Sequence, residues 1–240
     1  MDLDNHFLLY ESLLAKMVVL CMVSSLLDQR VRNPFEFYAA YYPPINAGRK
    51  AYTIEELMDS IRKVDGYSIF YHVFHPIFSS HVVPYDLHND FAFWIRDELH
   101  DESLAYKVSD VEGTEPRTVE QVRDEILKIL ESSQNRTRAN KPFHFISCRP
   151  VIYDTGKRAW SIGEFIDVVS SITMRSVVYH FVFRRVMGYS SRNDFSTWLE
   201  QEFQASAIAD RLSKIDPQTY VNEEVLREDI LSLIERVIYS

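Results

Sequence analysis

Glycine and cysteine are scarce in this chain: 6 Gly and 2 Cys in 240 residues. So few glycines leave little material for the glycine-rich phosphate loops of nucleotide-binding folds, and neither a P-loop nor a dinucleotide fingerprint occurs. Cys21 and Cys148 lie far apart and outside any CxxC, which removes zinc spacings, redox motifs and a disulfide framework, and fits a reducing compartment. No G-x-S-x-G nucleophile elbow is present. Basic residues are outnumbered, 26 Lys and Arg against 35 Asp and Glu, which argues against a nucleic-acid partner because phosphate binding is driven by cations. A long hydrophobic run is also missing. The stretch Phe7 to Leu27 is apolar but interrupted by Glu11 and Lys16. Its longest uncharged part, from Met17 to Leu27, is about half of the ~20 residues a membrane-spanning helix needs. The acidic opening MDLDNH is unlike the basic start of a signal peptide. These absences lead to the expectation of a cytoplasmic globular protein with no membrane partner and no cofactor.

What is present is a repeat. Pro34-Phe35-Glu36-Phe37 returns as Pro142-Phe143-His144-Phe145, Gly48-Arg49-Lys50-Ala51 as Gly156-Lys157-Arg158-Ala159, and Ser68 with Tyr71-His72 as Ser176 with Tyr179-His180, all at an offset of 108. Asn89-Asp90-Phe91 with Trp94 returns as Asn193-Asp194-Phe195 with Trp198, and Arg123 as Arg227, at an offset of 104. A unit of ~100 residues is far longer than a solenoid repeat. The reading is a duplication into two homologous lobes, 34–133 and 142–240, joined by a polar linker 134–141 and preceded by an apolar N-terminal segment 1–33. The lobes differ in charge: the first carries 9 basic and 18 acidic residues, the second 11 and 13.

Each copy opens with alternating aromatics, Phe35 and Phe37 or Phe143 and Phe145, which read as a short strand. A loop follows. Thr53 with Glu56, and Ser161 with Glu164, then have the spacing of a capping box at a helix start. Asp65 and Thr173 are expected to cap a second helix ending near Tyr71-His72 and Tyr179-His180. A third helix starts at Asp90 and Asp194, a fourth covers Leu104–Val108 and Ile208–Leu212, and a fifth covers Val119–Leu130 and Glu223–Val237 behind Thr118 and Asn222. The predicted fold is mainly α, two homologous helical lobes each with a short aromatic β-strand, plus an N-terminal hydrophobic helix over 5–29.

The order of aromatic strand, G-[RK]-[KR]-A, capping box, S-x-x-Y-H and N-D-F-x-x-W resembles a prokaryotic domain-of-unknown-function family, numbered 5752, over about residues 34–238. The resemblance implies no activity.

Four features carry candidate chemistry. Arg49 and Lys50, with Lys157 and Arg158, precede a helix N-terminus, where free N–H groups and the helix dipole suit an anion; the alternative is a solvated turn. His72 with Asp90, and His180 with Asp194, have the composition of an acid–base pair; the alternative is a buried histidine bonded to a helix cap. His72-x-x-His75, with His81 and His88 beyond, suggests a metal site, but the second copy has Phe183 in place of His75, and no metal is expected. The N-terminal helix is apolar around more than one face, so it is either a strut between the lobes or an interface with a protein partner or a second copy. The expected function is a non-catalytic binding or scaffolding protein. The alternative is an enzyme or sensor that acts on an anionic small molecule through the His/Asp pairs and the basic loop.

Overall fold

The computed structural model describes residues 25–74, 86–111, 118–217, 220 and 222–239. Helices dominate. Two strands, β1 (Phe35–Tyr41) and β2 (Pro44–Ala51), lead into α1 (Ile54–Lys63), α2 (Gly66–Phe74), α3 (Asp90–Leu99), α4 (Glu102–Ser109) and α5 (Val119–Glu131). The second half follows the same order: β3 (Phe143–Cys148), β4 (Val151–Ala159), α6 (Ile162–Ser171), α7 (Met174–Val177), a π-helical segment (Val178–Phe183), α8 (Arg184–Val186), α9 (Asp194–Phe203), α10 (Ser206–Ser213) and α11 (Glu223–Ile238). Among the described residues no helix is long and apolar enough to cross a membrane.

The strands pair across the halves. β1 is antiparallel to β4, and β2 to β3, in two separate two-stranded sheets. The first strand of each half is the one that crosses over. β1 packs on α7 and the π segment of the second half, and β3 packs on α2 of the first, while β2 and β4 stay against α1 and α6 of their own halves. A two-stranded ribbon is marginal alone, and burial of one face against helices makes it stable. Alternation in β1 and β3 supplies that face: Phe35 and Phe37, and Phe143 and Phe145, are buried, and Glu36 and His144 between them are exposed.

The segment Gly48-Arg49-Lys50-Ala51, and its counterpart Gly156-Lys157-Arg158-Ala159, is strand rather than loop, so each half has a second strand that the sequence reading missed. Its glycine sits at a bulge. The β1–β4 register jumps between Phe37↔Lys157 and Tyr38↔Asp154, and Gly156 takes φ +71°, a conformation that favours glycine. Asp154 Oδ1 accepts the Gly156 N–H at 2.8 Å, and Asn46 Oδ1 accepts the Gly48 N–H at 2.7 Å.

Most helix starts fall where the capping residues place them, and the bonds made there differ in detail. Thr53 and Ser161 accept the N–H of Glu56 and Glu164, but the glutamates reach one residue further back, to the N–H of Tyr52 (2.7 Å) and Trp160 (2.8 Å). Tyr52 and Trp160 have just left a strand, and the carboxylate supplies the acceptor their N–H groups lose there. Asp65 does accept from Ser68 N, whereas Thr173 makes no cap bond with its side chain. Apolar stripes then bury one face: Ile54, Leu57 and Ile61 on α1, and Leu226, Ile230, Ile234 and Ile238 on α11. Arg123 from α5 donates to the carbonyls of Ile61 and Val64 at the end of α1, and Arg227 from α11 to those of Ser170 and Ile172 at the end of α6. A cation at a helix C-terminus satisfies orphan carbonyls and complements the dipole.

Most of the expected N-terminal helix lies outside the described residues. Residues 25–28 are helical, and the chain then runs along the second half, where the Val31 N–H bonds the Trp160 carbonyl at 2.8 Å. Gly163 allows this approach, since a Cβ there would stand 3.2 Å from the Leu27 carbonyl oxygen.

Candidate functional site: the His/Asp grips and the cavity beside His180

His72 and His180 are buried, 3 % and 4 % exposed. Each ring uses both nitrogens. His180 Nε2 accepts the backbone N–H of Tyr38 at 2.9 Å, and His72 Nε2 accepts that of Ile146 at 2.9 Å. An amide N–H can only donate, so each ring is protonated at Nδ1, which donates to Asp194 Oδ2 (2.7 Å) or Asp90 Oδ2 (2.8 Å). Neither ring presents a free lone pair to a substrate. Burial holds the His180 pKa below the ordinary imidazole range, against the opposing pull of Asp194.

The same strand residues are held a second time. Ser176 Oγ donates to the Tyr38 carbonyl at 2.7 Å, and Ser68 Oγ to the Ile146 carbonyl at 2.8 Å. One turn of helix thus offers a hydroxyl and an imidazole spaced i, i+4, and together they bond the C=O and N–H of one residue of β1 or β3 as a neighbouring strand would.

The N-D-F-x-x-W element grips the same strand. Asn193 caps α9 through the Ser196 N–H and donates to the Leu212 carbonyl; Asn89 does likewise with Ala92 and Val108. The caps are therefore Asn89 and Asn193, not the aspartates, which leaves Asp90 and Asp194 free for the histidines. Phe195 packs on Phe35 and Phe165, and Phe91 on Phe143. Trp198 Nε1 donates to the Asn33 carbonyl (3.0 Å) and Trp94 Nε1 to the Lys141 carbonyl (2.9 Å), two residues before Phe35 and Phe143 respectively.

The four candidate anion-binding cations already have neighbours or stand open. Arg49 lies 3.6 Å from Asp59, and Lys50 reaches the Tyr52 hydroxyl. The hollow beside them also contains Glu55, Glu56 and Asp59, so its field is acidic. Arg158 donates to Glu36 and bidentately to Asp154, whose carboxyl is held down to about 2 by that guanidinium and the Gly156 N–H. Lys157 is exposed. All four lie in β2 or β4 rather than in a helix-start loop.

Of the histidines suggested for a metal, His75 and His81 lie outside the described residues. The His88 N–H bonds Ser109 Oγ. Among the described residues, no group of three or more His, Cys, Asp or Glu side chains could hold a metal ion. Cys148 is buried, and burial pushes its thiol up to about 12; Cys21 lies outside the described residues.

A cavity of about 440 Å³, which sequence reading did not foresee, opens beside His180. Its walls come from both halves, with Phe35, Glu36 and Tyr38 on β1 facing Ile152, Arg184, Asp194 and Trp198. It lies against the π-helical segment, whereas the Tyr71-His72 pair sits in the regular helix α2. A π turn departs from the regular hydrogen-bond ladder and is frequent at functional sites. Composition alone does not mark it, since the equally β-branched and aromatic stretch Ile69–Phe74 forms a regular helix.

Sequence comparison defines the class. A family described only as one of unknown function, DUF5752, matches residues 32–235, and the chain belongs to it. Among solved structures, the chain is similar to OrfY from Thermoproteus tenax. The two share 41 % identity over 88 % of this chain and 98 % of that one, with a TM-score of 0.83. No curated protein sequence matches the chain.

Proposed function

We propose that this is a non-catalytic binding or scaffolding protein, a tandem duplication whose two helical lobes are interlocked by reciprocal exchange of their first strands. One observation carries the reading: His72 and His180 each spend Nε2 on a backbone N–H of the exchanged strand and Nδ1 on an aspartate, so the pairs hold strands rather than activate a substrate. Both copies keep the whole set of Ser, His, Asn, Asp, Phe and Trp because both copies hold a strand. A single active site would need only one set. The basic residues of β2 and β4 do not favour the anion-directed enzyme, since Arg49 and Arg158 already face carboxylates. We place the protein in the cytoplasm, with the N-terminal segment as the surface for a protein partner or a second copy.

The test is the stability of His180→Ala and Ser176→Ala and of the double variant. Each single change removes a bond to Tyr38 and is expected to cost roughly 1–3 kcal/mol, with a non-additive double because both groups hold one peptide unit. Melting unchanged by His180→Ala would sink the reading and return His180 to the catalytic candidates.

A further inference from the structure

We infer that the exposed face at the middle of the paired strands receives the N-terminal segment, residues 1–24, of a second copy of this chain. The inference names the partner of the binding-protein reading and rests on that reading.

The two sheets lie end to end. Tyr41 pairs with Val151 and Pro44 with Cys148, so both arms run on through Tyr42-Pro43 and Arg149-Pro150 as one long two-stranded ribbon. Opposed residues share a face and successive ones alternate. At the middle of the ribbon Ala40, Tyr42 and Cys148 are buried on one face, with Tyr42 against Phe70 and Phe183. The other face carries Tyr41, Pro43, Ile45, Arg149, Val151 and Tyr153. Four of these are large apolar side chains left open: Tyr41 is 49 % exposed, Ile45 46 %, Val151 58 % and Tyr153 41 %. Scattered exposed apolar residues are ordinary, but these share one face where the two halves meet. Arg149 beside them is exposed and has no ion-pair partner among the described residues. Asp65 at the margin is taken up by the Ser68 N–H and the Ser147 hydroxyl.

Area and charge choose the occupant. The four half-exposed side chains offer on the order of 400 Å². Two such faces laid together would bury only about 800 Å² in total, the size of a packing contact, and would bring two copies of Arg149 together. Residues 1–24 fit better. They are rich in apolar side chains, and Asp2, Asp4 and Glu11 against the single Lys16 make them acidic, to meet the cation. If each copy gives its segment to the face of the other, two contacts of about 800 Å² form, which reaches the ~1,600 Å² of a standard interface. Reach selects the second copy over the segment's own chain. Leu27 sits against Gly163 and Val31 bonds Trp160, at the far end of β4 from the face. At ~3.3 Å per strand residue, Tyr153 and Val151 lie about 23–30 Å from Trp160. A helix folded back from Leu27 spends about 15–20 residues on that distance. Its uncharged part, Met17 to Leu27, would then lie beside Asp154, Lys157 and Arg158 rather than on the face. On a second copy that part can lie across the face itself.

The test uses the full chain. Sedimentation over about 1–100 μM is expected to show a dimer. Val151→Glu on the face and Val18→Glu in the segment are each expected to weaken it at least about tenfold, and Tyr239→Glu, an equally exposed position off the ribbon, to leave it unchanged. Val151 is more than half exposed, so its replacement leaves the core untouched, and unchanged melting checks this. Cys21 supplies a trap, because Cys148 is buried and does not compete. Mild oxidation of Ile45→Cys, Val151→Cys and Tyr153→Cys is expected to give, in at least one of them, a disulfide to Cys21 of the second copy that wild type does not form and Cys21→Ser abolishes. A monomer at about 100 μM, a dimer indifferent to Val151→Glu and Val18→Glu, a disulfide formed within one chain, or no disulfide at any of the three positions would each overturn the inference. A monomer in which His180→Ala still lowers stability removes the docking and leaves the strand-holding role intact; stability indifferent to His180→Ala removes that role whatever the mass.

Discussion

Truncation of Phe37 separates the sequence of this chain from its architecture. Phe37 belongs to the first half by sequence, yet its ring is fully buried in the second, 5.8 Å from Phe165, 6.3 Å from His180 and 6.5 Å from Phe195 between centroids. Phe→Ala in a core costs about 3–5 kcal/mol through lost transfer energy and the cavity left behind. The upper part of that range is appropriate here, because the ring sits among other aromatics that cannot collapse into the space without losing their own edge-to-face contacts. Hydrogen exchange resolved by mass spectrometry reads the effect by segment. If β1 is a member of the second half's core, Phe37→Ala raises exchange in 162–186 and 194–203 by roughly a hundred- to a few-thousand-fold, since about 1.4 kcal/mol is tenfold. Phe145→Ala does the same to 54–74 and 90–99, because Phe145 packs on His72 and Phe91. The reasoning is refuted if Phe37→Ala loosens 54–74 and 90–99 more than 162–203, for then each strand would serve its own half.

Two further expectations follow from single groups. Burial lowers the His180 pKa in the folded chain below the value near 6.5 it regains on unfolding. The unfolded state then binds more protons in acid, so this contribution is present above about pH 6.5 and is lost as pH falls toward the folded value, each unit of depression being worth about 1.4 kcal/mol. Urea midpoints of wild type and His180→Gln at several pH values check this; equal pH slopes would refute it. Asn193→Ala removes a fully buried helix cap and a second bond to Leu212, and is expected to cost about 1–3 kcal/mol, whereas Asn222→Ala, an exposed cap, costs about 0.5–1 kcal/mol. Chemical denaturation that ranked Asn222 above Asn193 would count against the buried-cap account.

The helices were legible because their signals are local. Thr53 three residues before Glu56, Ser161 before Glu164 and the cap Thr118 lie within one turn of the helices they start, and among the described residues each predicted helix start falls within about two residues of the observed one, although the third-helix caps are Asn89 and Asn193 rather than the aspartates. The second strands were missed for different reasons: Pro44–Ala51 holds a single β-branched residue, Ile45, whereas Val151, Ile152, Tyr153 and Thr155 in β4 were a strand signal that the reading of a loop there passed over. What makes them strands is a partner more than a hundred residues away and a bulge at the glycine. The site was legible as a list and not as an arrangement. His180, Asp194, Asn193, Trp198 and Ser176 could be found by the return of their motifs along the sequence, but that Ser176 and His180 bond Tyr38 while Trp198 bonds Asn33 just before the same strand is a tertiary fact. Arg184 had no such signal, because its counterpart at the same offset is Pro76.

Pairing of β1 with β4 also explains why the cavity beside His180 depends on both halves of the chain. Its apolar wall needs Phe35 from β1 on one side and Ile152 and Trp198 on the other, so the site exists only while the first strand is seated in the second half. The groups that seat it overlap with those that shape the cavity: His180 holds the Tyr38 N–H and also lines the wall, and Asp194 holds both His180 and Arg184.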